Sequence, residues 1–203
     1  MKLKICGMKY PENIVEVSNL LPDFMGFIFW KPSARYFDNI IPVLPKSIQK
    51  VGVFVDASLD EINEITNNHQ LDFIQLHGKE SPDCCNNLQS VNAKIIKVFS
   101  IDAAFDFSQL QSYESVCDYF LFDTKGKLPG GNGVAFDWQI LQNYKSNKPI
   151  FLSGGIGLEE IQHIQKLSLP IYAIDVNSKF EIEPGLKDIQ KLLHFKNLLH
   201  QIS

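Results

Sequence analysis

The 203-residue chain has no run of eighteen apolar residues, so nothing in it reads as a membrane span. Its start, Met1-Lys2-Leu3-Lys4-Ile5-Cys6-Gly7, lacks the apolar stretch of a secretory signal and passes straight into a strand-like run. No C-x-x-C pair occurs among the four cysteines, Cys6, Cys84, Cys85 and Cys117. That excludes the usual zinc spacings and a disulfide framework, and no metal site is expected. Positive charge is not in excess: the net charge of −4 and a pI near 5.7 argue against a nucleic-acid surface or an anionic membrane as partner. Low-complexity tracts and linkers are missing too. Free thiols without targeting segments point to a cytoplasmic protein.

Hydrophobic residues make up 45% and charged residues 21%, the proportions of a globular chain. At this length about 70% of the extended surface can be buried, so a core needs no staples. Short apolar runs begin at Leu3, Phe24, Val51, Phe73, Ile95, Tyr119, Ile150 and Ile171, at intervals of 21 to 31 residues. Most do not alternate with polar residues, as expected of strands covered on both faces in a parallel sheet. Between them lie helical patterns, with Ile62 and Ile65 in one, and Leu158, Ile161 and Ile164 in another. Pro11 and Pro82 suit first helical positions, the latter after a capping Ser81, and Leu186 to Ile202 reads as a last amphipathic helix. Eight β-then-α units in this length predict an α/β fold, a (β/α)8 TIM barrel forming a single domain over residues 1–203. An open doubly wound sheet uses the same alternation and is the rival.

Chemistry in such a barrel gathers where strands end. Strand ends here carry Cys6-Gly7, Asp56, Gln75-Leu76-His77-Gly78, Asp123, Ser153-Gly154-Gly155 and Asp175-Val176-Asn177-Ser178. Cys6 reads either as a small buried hydrophobe or, from its strand-end position before Gly7, as a reactive thiol. The other three cysteines read as structural. Asp123 follows Tyr119-Phe120-Leu121-Phe122, where partial desolvation favours the protonated form and suits a general acid; a turn-capping aspartate is the alternative. Glycines 154 and 155, ahead of a helix placed near Leu158, would let backbone N–H groups approach a phosphate, with Asn177 and Ser178 from the next loop. Arg35 reads as a surface arginine or as a fork for a substrate carboxylate. Gln75 and His77 are candidate pocket residues, Asp175 a partner for substrate hydroxyls, Asp56 a solvent-facing residue, and Lys125–Gly133 a mobile lid.

Together, Lys4-Ile5-Cys6-Gly7-Met8, Gly26-Phe27-Ile28-Phe29, Ser33-Ala34-Arg35-Tyr36, Gln75-Leu76-His77-Gly78, Asp123-Thr124-Lys125, Ser153-Gly154-Gly155, Asp175-Val176-Asn177-Ser178 and Pro184-Gly185-Leu186-Lys187-Asp188 resemble the phosphoribosylanthranilate isomerase family, in order along nearly the whole chain. The resemblance implies a cofactor-free Amadori rearrangement of a small phosphosugar–anthranilate substrate in tryptophan biosynthesis. By position it implies Cys6 as general base, Asp123 as general acid, Arg35 against the anthranilate carboxylate, and Gly154, Gly155, Asn177 and Ser178 at the phosphate. Asn177, Lys179 and Asn132 depart from the family pattern, and Lys179 would add a cation near the phosphate. Lys4 and the phosphate loops are the groups that would alter the Cys6 thiolate fraction. Two other enzyme readings stand beside it: the related isomerase of histidine biosynthesis, against which Cys6 argues, and a lyase forming a Schiff base on Lys97. A phosphosugar-binding module without catalysis is the non-enzymatic alternative. A monomer is the default, with a dimer open.

Overall fold

In the computed structural model the described residues are 1–89, 91–124 and 138–201. Among them the apolar runs form β1 (Lys2–Ile5), β2 (Phe24–Ile28), β3 (Gln49–Phe54), β4 (Phe73–Leu76), β5 (Lys94–Ile101), β6 (Tyr119–Thr124), β7 (Ile150–Ser153) and β8 (Ile171–Val176). Each pairs in parallel with the next and β8 pairs with β1, so the sheet closes into a barrel and the open-sheet rival falls. In the closing seam Lys4 stands opposite Asp175, and Ile5 opposite Val176.

Strand parity divides the side chains between two compartments. Leu3, Ile5, Met25, Phe27, Phe54, Ile74, Leu76, Phe120, Phe122, Leu152 and Ile174 point outward into the layer beneath the crossovers. Phe24, Val51, Phe73, Ile96, Val98, Tyr119, Leu121, Phe151 and Ala173 point inward. Four of these make the barrel floor: Phe24 meets Phe73 edge-on with centroids 5.2 Å apart, Phe151 at 5.2 Å, and Tyr119 meets Phe151 at 5.4 Å. A register shift between Ile150 and Phe151 pairs them with Ile171 and Ala173, passing over Tyr172. The Tyr172 ring lies 4.8 Å from Tyr119, and its hydroxyl accepts from Lys2 Nζ at 3.0 Å.

The helices are α1 (Pro11–Ser18), α2 (Leu59–His69), α3 (Pro82–Leu88), α4 (Ile161–Ile164) and α5 (Ile189–Gln201). Pro11 and Pro82 open α1 and α3, and the Ser58 and Ser81 side chains cap α2 and α3 by accepting from Glu61 N and Cys84 N, each at 3.2 Å. Not every crossover is a helix. Residues 29–48 run from β2 to β3 without one, because Pro32, Pro42 and Pro45 repeatedly remove backbone donors. The β5–β6 crossover is a 3-10 helix, Phe107–Tyr113.

Two expected helix starts move. Leu158 lies in a turn before α4, which is a single turn long, so the glycine loop faces no extended helix dipole. Leu186–Lys187 is not helical but forms β10, antiparallel to β9 (Glu181–Glu183). Gly185, at φ +90°, makes the reversal, and Asn13 of α1 grips the Lys187 backbone from both sides: its Oδ1 accepts from Lys187 N at 2.7 Å and its Nδ2 donates to Lys187 O at 3.0 Å. Helical propensity at Leu186 yields to these tertiary bonds.

Candidate active site

At the carboxyl end of the barrel, above the aromatic floor, the inward parity continues into polar residues. Cys6 follows Lys4 on β1, Gln75 follows Phe73 on β4, Asp123 follows Leu121 on β6 and Asp175 follows Ala173 on β8. They line one cavity of about 200 Å³, together with His77, Gly154, Gly155, Asn177, Ser178 and Lys179. Apolar Ile28, Val53, Leu121 and Ile156 complete its wall. The thiol and the carboxyl expected to do acid–base work thus face a common space.

Cys6 is 5% exposed, and its N–H donates to Val176 O at 2.9 Å, which extends the seam by one residue. Burial pushes its pKa above the ordinary thiol range and Asp175 adds to the rise, while Lys4 and Lys187 pull it down without cancelling the effect. Lys4 is fully buried and donates to Asp175 Oδ2 at 2.7 Å. Burial would lower its pKa, but Asp175 and Cys6 outweigh that and hold it above the usual amine value. Asp175 is raised by its own burial, against the pull of Lys4. Its other oxygen, Oδ1, and Gln75 Oε1 are buried on the cavity wall without a hydrogen-bond partner. A buried acceptor left so is costly, and a ligand hydroxyl or amine is the natural complement.

Across the cavity, Asp123 Oδ2 lies 3.6 Å from His77 Nε2, with both side chains partly exposed. The loop carrying His77 is pinned from below. Glu80 accepts from the N–H groups of Asp56 at 2.9 Å and Gly78 at 3.0 Å, and from Lys97 Nζ at 2.7 Å. Lys97 also donates to Gly78 O at 2.8 Å. Its side chain therefore belongs to an almost fully buried ion pair and does not line the cavity, which removes the Schiff-base reading. Asp56 is exposed, as expected, and accepts from Lys79 N at 2.6 Å.

At the cavity edge, Gly154 and Gly155 have φ of +105° and +61°, the left-handed backbone that glycine supplies. The neighbouring Gly157 N–H donates to Glu160 Oε2 at 2.7 Å, and Glu160 Oε1 receives Lys179 Nζ at 2.8 Å. Lys179 thus lines the cavity with its charge already partnered.

Arg35 departs from expectation. Its guanidinium does not line the cavity but forks onto Glu181, with Nε to Oε1 at 2.8 Å and Nη2 to Oε2 at 2.6 Å. Glu181 also accepts from Lys187 Nζ at 2.7 Å and Gly185 N at 3.0 Å. Burial opposes its ionisation, yet Arg35 and Lys187 hold its pKa below the usual carboxylate range. Lys187, fully buried, donates in addition to Asn177 Oδ1 at 2.7 Å. Glu181 and Lys187 were not candidates from the sequence, because the β9–β10 reversal that turns them inward reads as the start of a helix. The remaining cysteines lie away from the cavity, Cys85 and Cys117 buried, as their structural reading requires. The expected lid, Lys125–Gly133, and Asn132 lie outside the described residues. Among the described residues no cluster of three or more His, Cys, Asp or Glu side chains could hold a metal ion, and no helix is long and apolar enough to cross a membrane.

The family model for N-(5'-phosphoribosyl)anthranilate (PRA) isomerase matches residues 3–197. The chain belongs to this family. Among PRA isomerases it is 45% identical to that of Parabacteroides distasonis over 210 residues, covering 100% of this chain and 93% of the relative. It is 42% identical to that of Phocaeicola vulgatus, covering 99% and 98%. The crystal structure of the Thermotoga maritima PRA isomerase superposes with a TM-score of 0.84 at 26% identity, covering 99% of both chains. Another PRA isomerase, solved in complex with reduced 1-(o-carboxyphenylamino)-1-deoxyribulose 5-phosphate, superposes at 0.83 with 26% identity and 99% of both chains. The chain is therefore an isomerase of tryptophan biosynthesis, built as a TIM barrel.

Proposed function

We propose that the chain converts N-(5'-phosphoribosyl)anthranilate to 1-(2-carboxyphenylamino)-1-deoxyribulose 5-phosphate without a cofactor, with Cys6 as general base and Asp123 as general acid. The observation that carries this reading is the shared cavity, which has the thiol just past the end of β1 and the carboxyl on β6 as separate walls. Asp123 gives its proton to the furanose ring oxygen as the C1'–O bond breaks, and the anilino nitrogen lone pair forms the iminium. The Cys6 thiolate then removes the C2' proton, leaving an enolamine that tautomerises to the ketone as C1' gains a proton. His77 returns a proton to Asp123, a role their 3.6 Å separation supports. Asp175 Oδ1 and Gln75 Oε1 accept from sugar hydroxyls, which answers their missing partners. Gly154, Gly155, Asn177 and Ser178 bind the phosphate. Arg35 takes the anthranilate carboxylate through the part of its guanidinium that Glu181 leaves. The free thiols support a cytoplasmic setting for this chemistry; a monomer is the default form with a dimer open, and no nucleic-acid or membrane partner is expected.

The test follows loss of phosphoribosylanthranilate fluorescence. The unmodified chain turns the substrate over, and Cys6→Ala and Asp123→Asn each lower kcat by ~10²-fold or more. A chain inactive on this substrate sinks the reaction, and near-normal turnover in either variant sinks that residue's role.

A further inference from the structure

Two buried lysine–carboxylate pairs border Cys6, and they differ in how they meet it. Lys4 precedes Cys6 by two positions on β1, so both side chains enter the barrel on the same face, and Lys4 Nζ is tied to Asp175 Oδ2 at 2.7 Å across the seam. Lys187 comes from β10, and its ammonium is shared between Glu181 and Asn177, each at 2.7 Å. We propose that Lys4 is a positioning residue for the reaction, a charged ammonium beneath the cavity that offsets part of the cost of forming the Cys6 thiolate in its buried place.

The proposal rests on the reading of Cys6 as general base and extends it to a residue that does not line the cavity. An ammonium in this place has no access to water and no pocket of its own, and hydrophobic side chains fill the barrel below it. A buried ion pair adds little to stability over apolar packing, so its presence beside a reactive thiol calls for another reason. The charged groups around Cys6 are Lys4 on β1, Asp175 on β8, Lys187 on β10 with its partner Glu181 on β9, Arg35 from the β2–β3 crossover, and Asp123 with His77 across the cavity. Glu181 partners both Lys187 and Arg35, so those two cations are largely spent. Asp175 opposes the thiolate. Lys4 is then the strongest single influence favouring it, and its own proton is secure because Asp175 and Cys6 together hold its pKa above the ordinary amine value despite burial.

The experiment titrates Cys6 by thiolate ultraviolet absorbance, as the difference between the chain and Cys6→Ser, in the parent and in Lys4→Met. The expected result is an upward displacement of the Cys6 titration by about one to three pH units in Lys4→Met. The alkaline rise of kcat/KM should move by the same amount, so that activity lost at neutral pH returns at high pH. A merely structural lesion would lower activity at every pH and leave the titration in place. That result, or an unmoved titration, overturns the proposal. Lys4→Gln, which keeps a hydrogen-bond donor for Asp175 without the charge, gives the same readings should Lys4→Met not fold. In the parent itself the Cys6 titration should be the same at low and high salt, since a buried ammonium is little screened; a marked salt dependence would assign the effect to surface charges and reject Lys4. The titration needs no turnover. A Cys6→Ala chain that stays active removes the base assignment, while the influence of Lys4 on the thiol is read independently.

Discussion

Gly26 shows how tightly the thiol is held. A Cβ built on it would lie 2.7 Å from Cys6 Sγ, closer than real Cβ atoms approach, and a tight 3.1 Å from Cys6 Cα. A glycine in the middle of a strand weakens it, and close approach of a neighbour is a common reason for the choice. Gly26→Ala must therefore displace the thiol rather than unfold the barrel: kcat should fall at least about tenfold, within the scale of acid–base groups, while circular dichroism and the melting transition keep their shape. An unchanged kcat would mean that the Sγ position does not matter. Cys6 has a second consequence. Because its pKa lies above the usual thiol range, the active thiolate accumulates only on the alkaline side, and kcat/KM should still be rising past about pH 8.5. A plateau reached near neutrality would contradict the direction of that shift.

Among the elements, the turn from β4 to α3 is governed by an ion pair that water barely reaches. Glu80 and Lys97, both nearly fully buried, fasten Asp56, Gly78 and so the backbone on which His77 stands. Glu80→Gln keeps acceptors for the N–H groups but leaves Lys97 without its counter-charge, which should cost about 3–5 kcal/mol in denaturant unfolding. Removing both charges in Glu80→Gln/Lys97→Met should cost less than the single substitution. A double variant weaker than the single one would show that the charge pairing is not what matters. The strands were legible because parallel, doubly covered strands are continuous apolar runs; their number favoured closure, which the β8–β1 pairing settles. The crossovers were less legible. Prolines 32, 42 and 45 already argue against a helix after β2, whereas the extended Leu186–Lys187 depends on Asn13, a partner 174 positions away that local periodicity cannot report.

For the molecule as a whole, most of the candidate site followed from strand-end position, since parity sends Cys6, Gln75, Asp123 and Asp175 to one side of the barrel wall. What escaped was pairing. Arg35 reads from the sequence as a surface arginine or a fork for a substrate carboxylate, and its pairing with Glu181, 146 positions away, is invisible there. That carboxylate also contributes to the acid stability of the fold. Its pKa is lower in the folded chain than the unfolded value near 4.3, so its contribution is present above that value and lost as pH falls through the folded one. The melting temperature should hold down to about pH 4.3 and then drop. Glu181→Gln should melt lower at neutral pH and show a shallower acid decline, and thermal scans across pH decide it. An equally steep decline would assign acid unfolding to other carboxylates.

The seam between β1 and β8 joins residues whose synthesis on the ribosome is separated by most of the chain, Lys4 and Asp175 being 171 positions apart. Until β8 emerges, the first strand has no neighbour on that side, and the lysine near its start has no counter-ion. Pairings of such long sequence separation are slow to form. The nascent protein must therefore shelter an uncompensated cation and an unfinished sheet edge until β8 has been made, and the barrel acquires its chemistry only in that closure.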